Sequence, residues 1–343
     1  MARPLNGLKI IEMAGLGPAP FACYILASLG ANVTRIEAKG RSAVFLPLDP
    51  QTNPDVLYRR IVQLDLKTEE DRLEAVELID DADVLIEGFR PGVMERLGFS
   101  PDAMIARNPG LIYARMTGYG QQGPMSDRAG HDLNYISMAG VLSMIGHHDD
   151  RPVPPLNLIG DYGGGTMVLI MGVLSALYAR AQTGKGQVVD AAMVDGAAML
   201  ATPIFSFMAS GLWDGDKRGM NLLDSGCPFY DTYETADGGY VAVAPLEPQF
   251  FAALVDGLGL DPVWLERQYN RSHWDELRAQ LTAVFRRRSR DEWTEIFAQS
   301  DACVTPVLTP REAAEHPHNK TRRSFDTVAG QVMPAIAPRF SSE

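Results

Sequence analysis

What most constrains the fold of this chain is the regular alternation of short apolar runs with longer helical patterns across its first two hundred residues. Residues 8–13 (Leu-Lys-Ile-Ile-Glu-Met) read as a strand, 21–29 as a short apolar helix closed by Gly30, and 33–37 as the next strand. After a proline-rich and polar loop from Lys39 to Pro54, residues 60–66 give another strand and 69–80 a charged helix. Residues 84–89 and 111–116 are further strands, and the helical stretch between them carries Arg90, Arg96 and Arg107. Strands that alternate with helices cannot pair as hairpins, so the pattern predicts an α/β class with a mainly parallel, doubly wound sheet. Its ligands are expected in the crevice at the carboxyl ends of the strands.

The turn after the first strand, Gly15-Leu16-Gly17-Pro18-Ala19-Pro20, partly matches a dinucleotide fingerprint with Glu37 as the ribose acid. Proline replaces the third glycine, so a plain strand–helix turn is the better reading.

The stretch from Arg128 to Asp195 holds the chemistry. Gly130-His131-Asp132 opens one helical pattern. Residues 154–161 (Pro-Pro-Leu-Asn-Leu-Ile-Gly-Asp), Tyr162 and Gly163-Gly164-Gly165 feed an apolar helix over 167–178 that stops near Gly184. A histidine therefore stands at one helix start and a carboxylate just before another. Amides there lack internal partners and the helix dipole favours developing negative charge, as an oxyanion requires. Alone, each of these residues is more often a cap than a catalytic group. A strand over 187–193 then runs into a methionine-rich apolar helix expected to reach Leu212.

Polarity changes at 213–220, the expected edge of a second, smaller domain. Asp237-Gly238-Gly239 lies between two β-rich runs, 230–235 and 240–244, and signals a hairpin. Helical patterns over 248–258, 273–287 and 290–300 follow, then a strand over 303–308. The reading is a large domain over 1–212, a small α+β domain over 213–302 and a C-terminal segment over 303–343 that returns to the large one.

Composition narrows the function. A net charge of −12 argues against nucleic acid as a partner, although local arginines can still hold an anionic small ligand. Three scattered cysteines fit neither a disulfide framework nor a zinc site and favour a reducing compartment. The first residues lack the apolar core of a signal peptide, and the 167–178 run is too short to span a bilayer. A cytoplasmic chain with no membrane partner is expected. His147-His148-Asp149-Asp150 reads as a solvated loop, so no metal is expected.

Gly130-His131-Asp132-Leu133-Asn134-Tyr135, Pro155-Leu156-Asn157-Leu158, Gly160-Asp161 and Thr183-Gly184-Lys185-Gly186-Gln187 closely resemble the α-methylacyl-CoA racemases of the class III CoA-transferase superfamily. So do Pro228-Phe229-Tyr230 with Tyr233, Glu247-Pro248-Gln249-Phe250 and Asp301-Ala302-Cys303-Val304-Thr305-Pro306. The resemblance covers nearly the whole chain. It implies a large Rossmann-like domain, a small domain, an interlocked homodimer with shared active sites, and an acyl-CoA substrate without a separate cofactor.

Inverting a carbon α to a thioester needs two bases on opposite faces of a planar enolate and a donor for its oxygen. By resemblance, His131 and Asp161 take the base roles and Glu247 orients or charge-matches the histidine. The backbone N–H of Asp132 holds the enolate oxygen, Tyr230 lines the pocket, and Asn157 positions Asp161 or the thioester. The resemblance also implies CoA contacts at Lys67, Arg96, Tyr135, Leu16 and Leu64. The family commonly carries an arginine two residues after the Ile36 position, where this chain has Ala38 beside Lys39. Lys39 or Arg41 is expected to substitute. Two alternatives stay open: a CoA transferase with Asp161 as its nucleophile, and a non-catalytic CoA-binding protein.

Overall fold

The computed structural model describes residues 3–40 and 48–341, so Arg41 lies outside the described residues. The chain divides into two units, one comprising residues up to 142, 154–202 and from 321 onward, the other 143–153 and 203–320.

The larger unit starts with β1 (Lys9–Met13), α1 (Pro18–Ser28), β2 (Asn32–Ala38), β3 (Arg59–Leu64), α2 (Glu69–Asp80) and β4 (Val84–Glu87). It continues with α3 (Val93–Arg96), α4 (Pro101–Arg107), β5 (Ile112–Thr117) and α5 (Asp132–Met138). A π-helical turn (Leu158–Met167), α6 (Val168–Thr183), β6 (Gln187–Ala192) and α7 (Met193–Leu200) complete the series. The strands form one sheet in the order β3-β2-β1-β4-β5-β6, every pair parallel. Parallel strands are covered on both faces, and β1 shows it: Ile10 packs with Leu26, Ile86, Ala114, Leu169 and Val173, while its neighbour Ile11 packs with Ile79, Leu85, Phe99 and Tyr113. The strand order reverses between β1 and β4. At such a point the loops leaving the carboxyl ends diverge and open a crevice.

Where the sequence suggested glycine loop and then helix, the structure has a single 26-residue helix, Leu158–Thr183, with its first ten residues in the wide π form. Glycine is a poor helix former, but here it allows backbone to meet backbone. A Cβ on Gly164 would lie 2.6 Å from the amide nitrogen of Ala197, and one on Gly196 1.9 Å from the carbonyl oxygen of Gly164. Thr166 Oγ1 donates to the Pro18 carbonyl at 2.8 Å and ties the turn to the start of α1. The helix is long and apolar enough to cross a membrane by length and composition, contrary to the expectation of a dozen-residue run. In this unit its Leu169, Ile170, Val173 and Ala176 pack into the core beside the sheet.

The apolar helix expected to reach Leu212 is two helices, α7 and α8 (Thr202–Ala209). Pro203 has no N–H to continue the ladder, and Thr202 Oγ1 donates to the Met199 carbonyl at the break.

The smaller unit has an antiparallel sheet of β7 (Asp231–Glu234), β8 (Tyr240–Val243) and β9 (Val304–Pro306), in that order. Helices α9 (Pro248–Leu258), α10 (Trp274–Phe285) and α11 (Arg290–Phe297) cover it. In α10 the buried side chains are Trp274, Leu277, Leu281, Val284 and Phe285, a three-and-four spacing that keeps them on one face. They join Phe229, Phe251, Trp264 and Trp293 in a largely aromatic core, each full burial stabilising by roughly 1.5–3 kcal/mol. The hairpin turn holds as its Asp-Gly-Gly suggests: Asp237 Oδ1 accepts from Thr235 Oγ1, and Gly238 takes a positive φ of 77°.

The units differ from the expected ones in three places. Residues 143–153 belong to the smaller unit, its main part begins at 203 rather than 213, and residues 303–320 stay in it because β9 pairs with β8. The tail rejoins the larger unit only from Thr321, through the hairpin β10 (Phe325–Val328) and β11 (Gln331–Pro334) and through Ile336 against the core.

Candidate active site

His131 is the N-cap of α5, in extended conformation, with its side chain exposed. Asn134 Oδ1 accepts the His131 amide at 3.1 Å, which closes the first turn. Tyr135 supports this turn from beneath. Its hydroxyl donates to the Gly130 carbonyl, and its ring lies edge-on to Tyr119 with centroids 5.0 Å apart. Burial pushes the Tyr135 phenol up to about 12, so it stays a neutral donor.

Asp132, the first residue of α5, is 4% exposed. No acceptor among the described residues meets its backbone N–H, which as the first of the helix has no partner one turn back. Its side chain is engaged instead: Oδ1 accepts the amides of Gly160 at 2.6 Å and Asp161 at 2.8 Å. Sequence reasoning missed this contact. The capping-type sequence of Gly130-His131-Asp132 shows a helix start but not what the carboxylate reaches 28 residues on.

Asp161 lies in the first turn of the π-helical segment, rather than ahead of a helix as expected. Asn157 Nδ2 donates to its Oδ2 at 3.1 Å. Just before it, Leu156 holds φ at +63°, a left-handed conformation that costs a leucine on the order of 1–3 kcal/mol. Asp161 Oδ2 lies 4.0 Å from where a Cβ on Gly17 would stand, in the loop leaving β1. The carboxylate thus faces the point where the strand order reverses. Burial raises its pKa, the Asn157 hydrogen bond lowers it, the Asp132 charge raises it and the His131 charge lowers it. Loss of solvation wins, and the carboxyl is held above its ordinary value.

The expected CoA contacts fall into two groups. Leu16 (54% exposed), Lys67 and Arg96 lie exposed in or beyond segments that leave the carboxyl ends of β1, β3 and β4. Leu64 and Tyr135 are buried, Leu64 in the core layer of Ile36 and Ile79. Lys39 is held by Asp71 at 2.7 Å. In the smaller unit, Tyr230 is half-buried against the aromatic core, and Glu247 is the exposed N-cap of α9. Burial first and then the Glu247 charge raise the pKa values of Tyr269 and Cys303. His147 and His148 turn to different partners, Ser225 at 3.5 Å and Asp149 at 2.7 Å.

A solved structure of a CAIB/BAIF family protein from Brucella suis superposes with a TM-score of 0.83 at 28% identity, over 99% of this chain and 93% of that one. The sequence model of CoA-transferase family III matches residues 5–343. The chain belongs to CoA-transferase family III. Among members of that family, it is 44% identical over 336 residues to an alpha-methylacyl-CoA racemase of Mus musculus, covering 97% of this chain and 85% of that protein. The corresponding racemase of Homo sapiens is 43% identical over 335 residues, covering 97% and 86%. His131, Asp132, Asn157 and Asp161 therefore gather in the large unit of a family III chain, at the crevice end of its sheet.

Proposed function

We propose that this chain is an α-methylacyl-CoA racemase, interconverting the (2R) and (2S) thioesters of 2-methyl acids by proton transfer through an enolate. The observation that carries the reading is the pairing of His131-Asp132 with Gly160-Asp161. Two dissimilar bases and a free helix-start amide meet on one frame. One base removes the α-proton, the Asp132 N–H holds the enolate oxygen, and the other base returns a proton to the opposite face. Each general acid–base group contributes about 10²–10⁴-fold, and an oxyanion donor about 10²–10³-fold. No step needs a redox group or a metal. Lys67, Arg96 and Leu16 are the proposed CoA contacts, and a cytoplasmic location is part of the same reading.

The working form is a homodimer in which Glu247 of a second copy charge-matches His131. An apolar stripe supports the dimer: Met167, Met171, Leu174 and Tyr178 are exposed at three-and-four spacing along one face of the long helix. Such a stripe is covered when an identical surface meets it across a twofold axis.

The deciding experiment incubates one epimer of 2-methyldecanoyl-CoA in D₂O with no acceptor acid. α-Deuterium incorporation together with appearance of the other epimer is expected. Acyl exchange that depends on an added carboxylate, with no α-exchange, would instead assign Asp161 the nucleophilic role of a CoA transferase.

A further inference from the structure

His131 and Asp161 stand on separate elements, α5 and the π-helical turn, yet their main chains are one hydrogen bond apart. The side chain next to His131 accepts the amide of Asp161 at 2.8 Å and that of Gly160 at 2.6 Å. It thereby acts as the cap of the π-helical turn, whose first amides have no partner within the turn and whose own N-cap residue, Asn157, makes no capping bond with its side chain. The contact is moulded to glycine. A Cβ on Gly160 would lie 2.7 Å from Asp132 Oδ1, 3.1 Å from its Cγ and 3.2 Å from Ile136 Cγ2.

We propose that the Asp132 carboxylate is a positioning residue for racemisation, tying the helix start that carries one base to the helix start that carries the other. The inference rests on the racemase reading above and assigns the side chain a role separate from that of its amide. Inversion needs the two bases at a fixed separation on opposite sides of a plane, and a displacement of about 1 Å can cost on the order of 10²-fold. Within its own chain His131 is exposed, so the frame beneath it sets its place there, with Glu247 of the proposed second copy meeting it from outside.

The carboxylate also acts through its charge. The groups that bear on Asp161 are Asn157, at the start of its own segment, then Asp132 and His131 at the start of α5. Beyond burial, Asp161 in turn raises the phenols of Tyr135 and Tyr162. Arg90, beyond β4, bears in turn on Tyr135. Replacing Asp132 by asparagine keeps the Oδ1 acceptor and the shape but removes a negative charge that favours protonated Asp161. The acid limb of the rate profile, where Asp161 must be ionised to act as base, then moves to lower pH.

Asp132→Ala, Asp132→Asn and Gly160→Ala are compared with wild type by α-deuterium exchange from each epimer of 2-methyldecanoyl-CoA across pH. The alanine variant is expected to lose about 10²-fold in kcat with KM nearly unchanged. Asparagine should recover much of that loss while shifting the acid limb downward. Gly160→Ala leaves every titratable group in place and is expected to lower kcat from the other side of the contact. A folded Asp132→Ala chain, by near-UV circular dichroism, that exchanges both epimers at wild-type rates overturns the proposal. Should that variant fail to fold, wild-type kcat and pH profile in both remaining variants overturn it equally. A wild-type chain that exchanges no α-proton removes the racemase reading and this proposal together.

Discussion

At the residue scale the site is unequal by construction. Asp161 is desolvated and held by Asn157, whereas His131 projects from a cap into the open. Two unlike bases on opposite faces predict unlike variants. His131→Ala should slow α-proton exchange from one epimer by about 10²–10⁴-fold, and Asp161→Ala from the other. Exchange followed by proton NMR, one epimer at a time, checks this; equal slowing of both epimers by either variant contradicts the two-base assignment. His131, Asp161 and Asn157 were named through the family resemblance, because a histidine or carboxylate at a helix start is by itself read as a cap. Sequence reasoning did not reach the Asp132 side chain, whose partners are set by how the π-helical turn packs on α5. Nor did it place Leu64 and Tyr135 in the interior, because an isolated apolar or aromatic residue gives no sign of which face it will occupy.

At the element scale the sheet was the most legible part. Six strands and α2 fall within two residues of their sequence-based limits; the central strands β1, β4 and β5 are buried on both faces and read as largely apolar runs. The glycine-rich turn was not legible. Propensity reads three glycines as loop, and only the approach of α7 makes helix the better state. That approach gives a stability prediction. Gly196→Ala drives a methyl group into the Gly164 carbonyl at 1.9 Å, where backbone rather than a flexible side chain must yield. Overpacking of this kind costs typically 1–3 kcal/mol, sometimes more. Chemical denaturation should show a loss in that range or above, and a Gly196→Ala chain as stable as the wild type would contradict the backbone contact.

A second element-scale prediction concerns the smaller unit. Glu312 bonds Arg290 at 2.6 Å and accepts the Thr309 amide at 2.8 Å in a capping box. Arg290 first and Thr309 next hold its pKa down to about 2, from 4.5. For a carboxyl lowered in the folded state, the stabilisation is complete above the unfolded value. It is lost as pH falls from about 4.5 through about 2. Unfolding midpoints of the wild type measured over that window should fall more steeply than those of Glu312→Gln. Parallel slopes would show that the box contributes nothing to the acid sensitivity.

At the scale of the whole molecule, the proposed dimer rests on the apolar stripe of the long helix, whose Met167, Met171, Leu174 and Tyr178 are exposed in the single chain. Met171→Asp with Tyr178→Asp places charges on residues 51% and 73% exposed, so the fold of the single chain tolerates them. Sedimentation velocity should then show monomers, and racemisation should fall because Glu247 of the second copy no longer reaches the site. An active monomer would show the site to be complete within one chain. The α/β class and the two-part organisation were both readable from alternation and from the change of pattern after α7. The boundaries were not, because a unit is defined by contacts and the chain passes between the units at 142/143, 153/154, 202/203 and 320/321. Those passages bear on truncation. A chain ending at residue 320 keeps every residue of the aromatic core of the smaller unit but lacks the hairpin and Ile336 of the larger one. Loss of the tail therefore falls on the unit that carries His131 and Asp161.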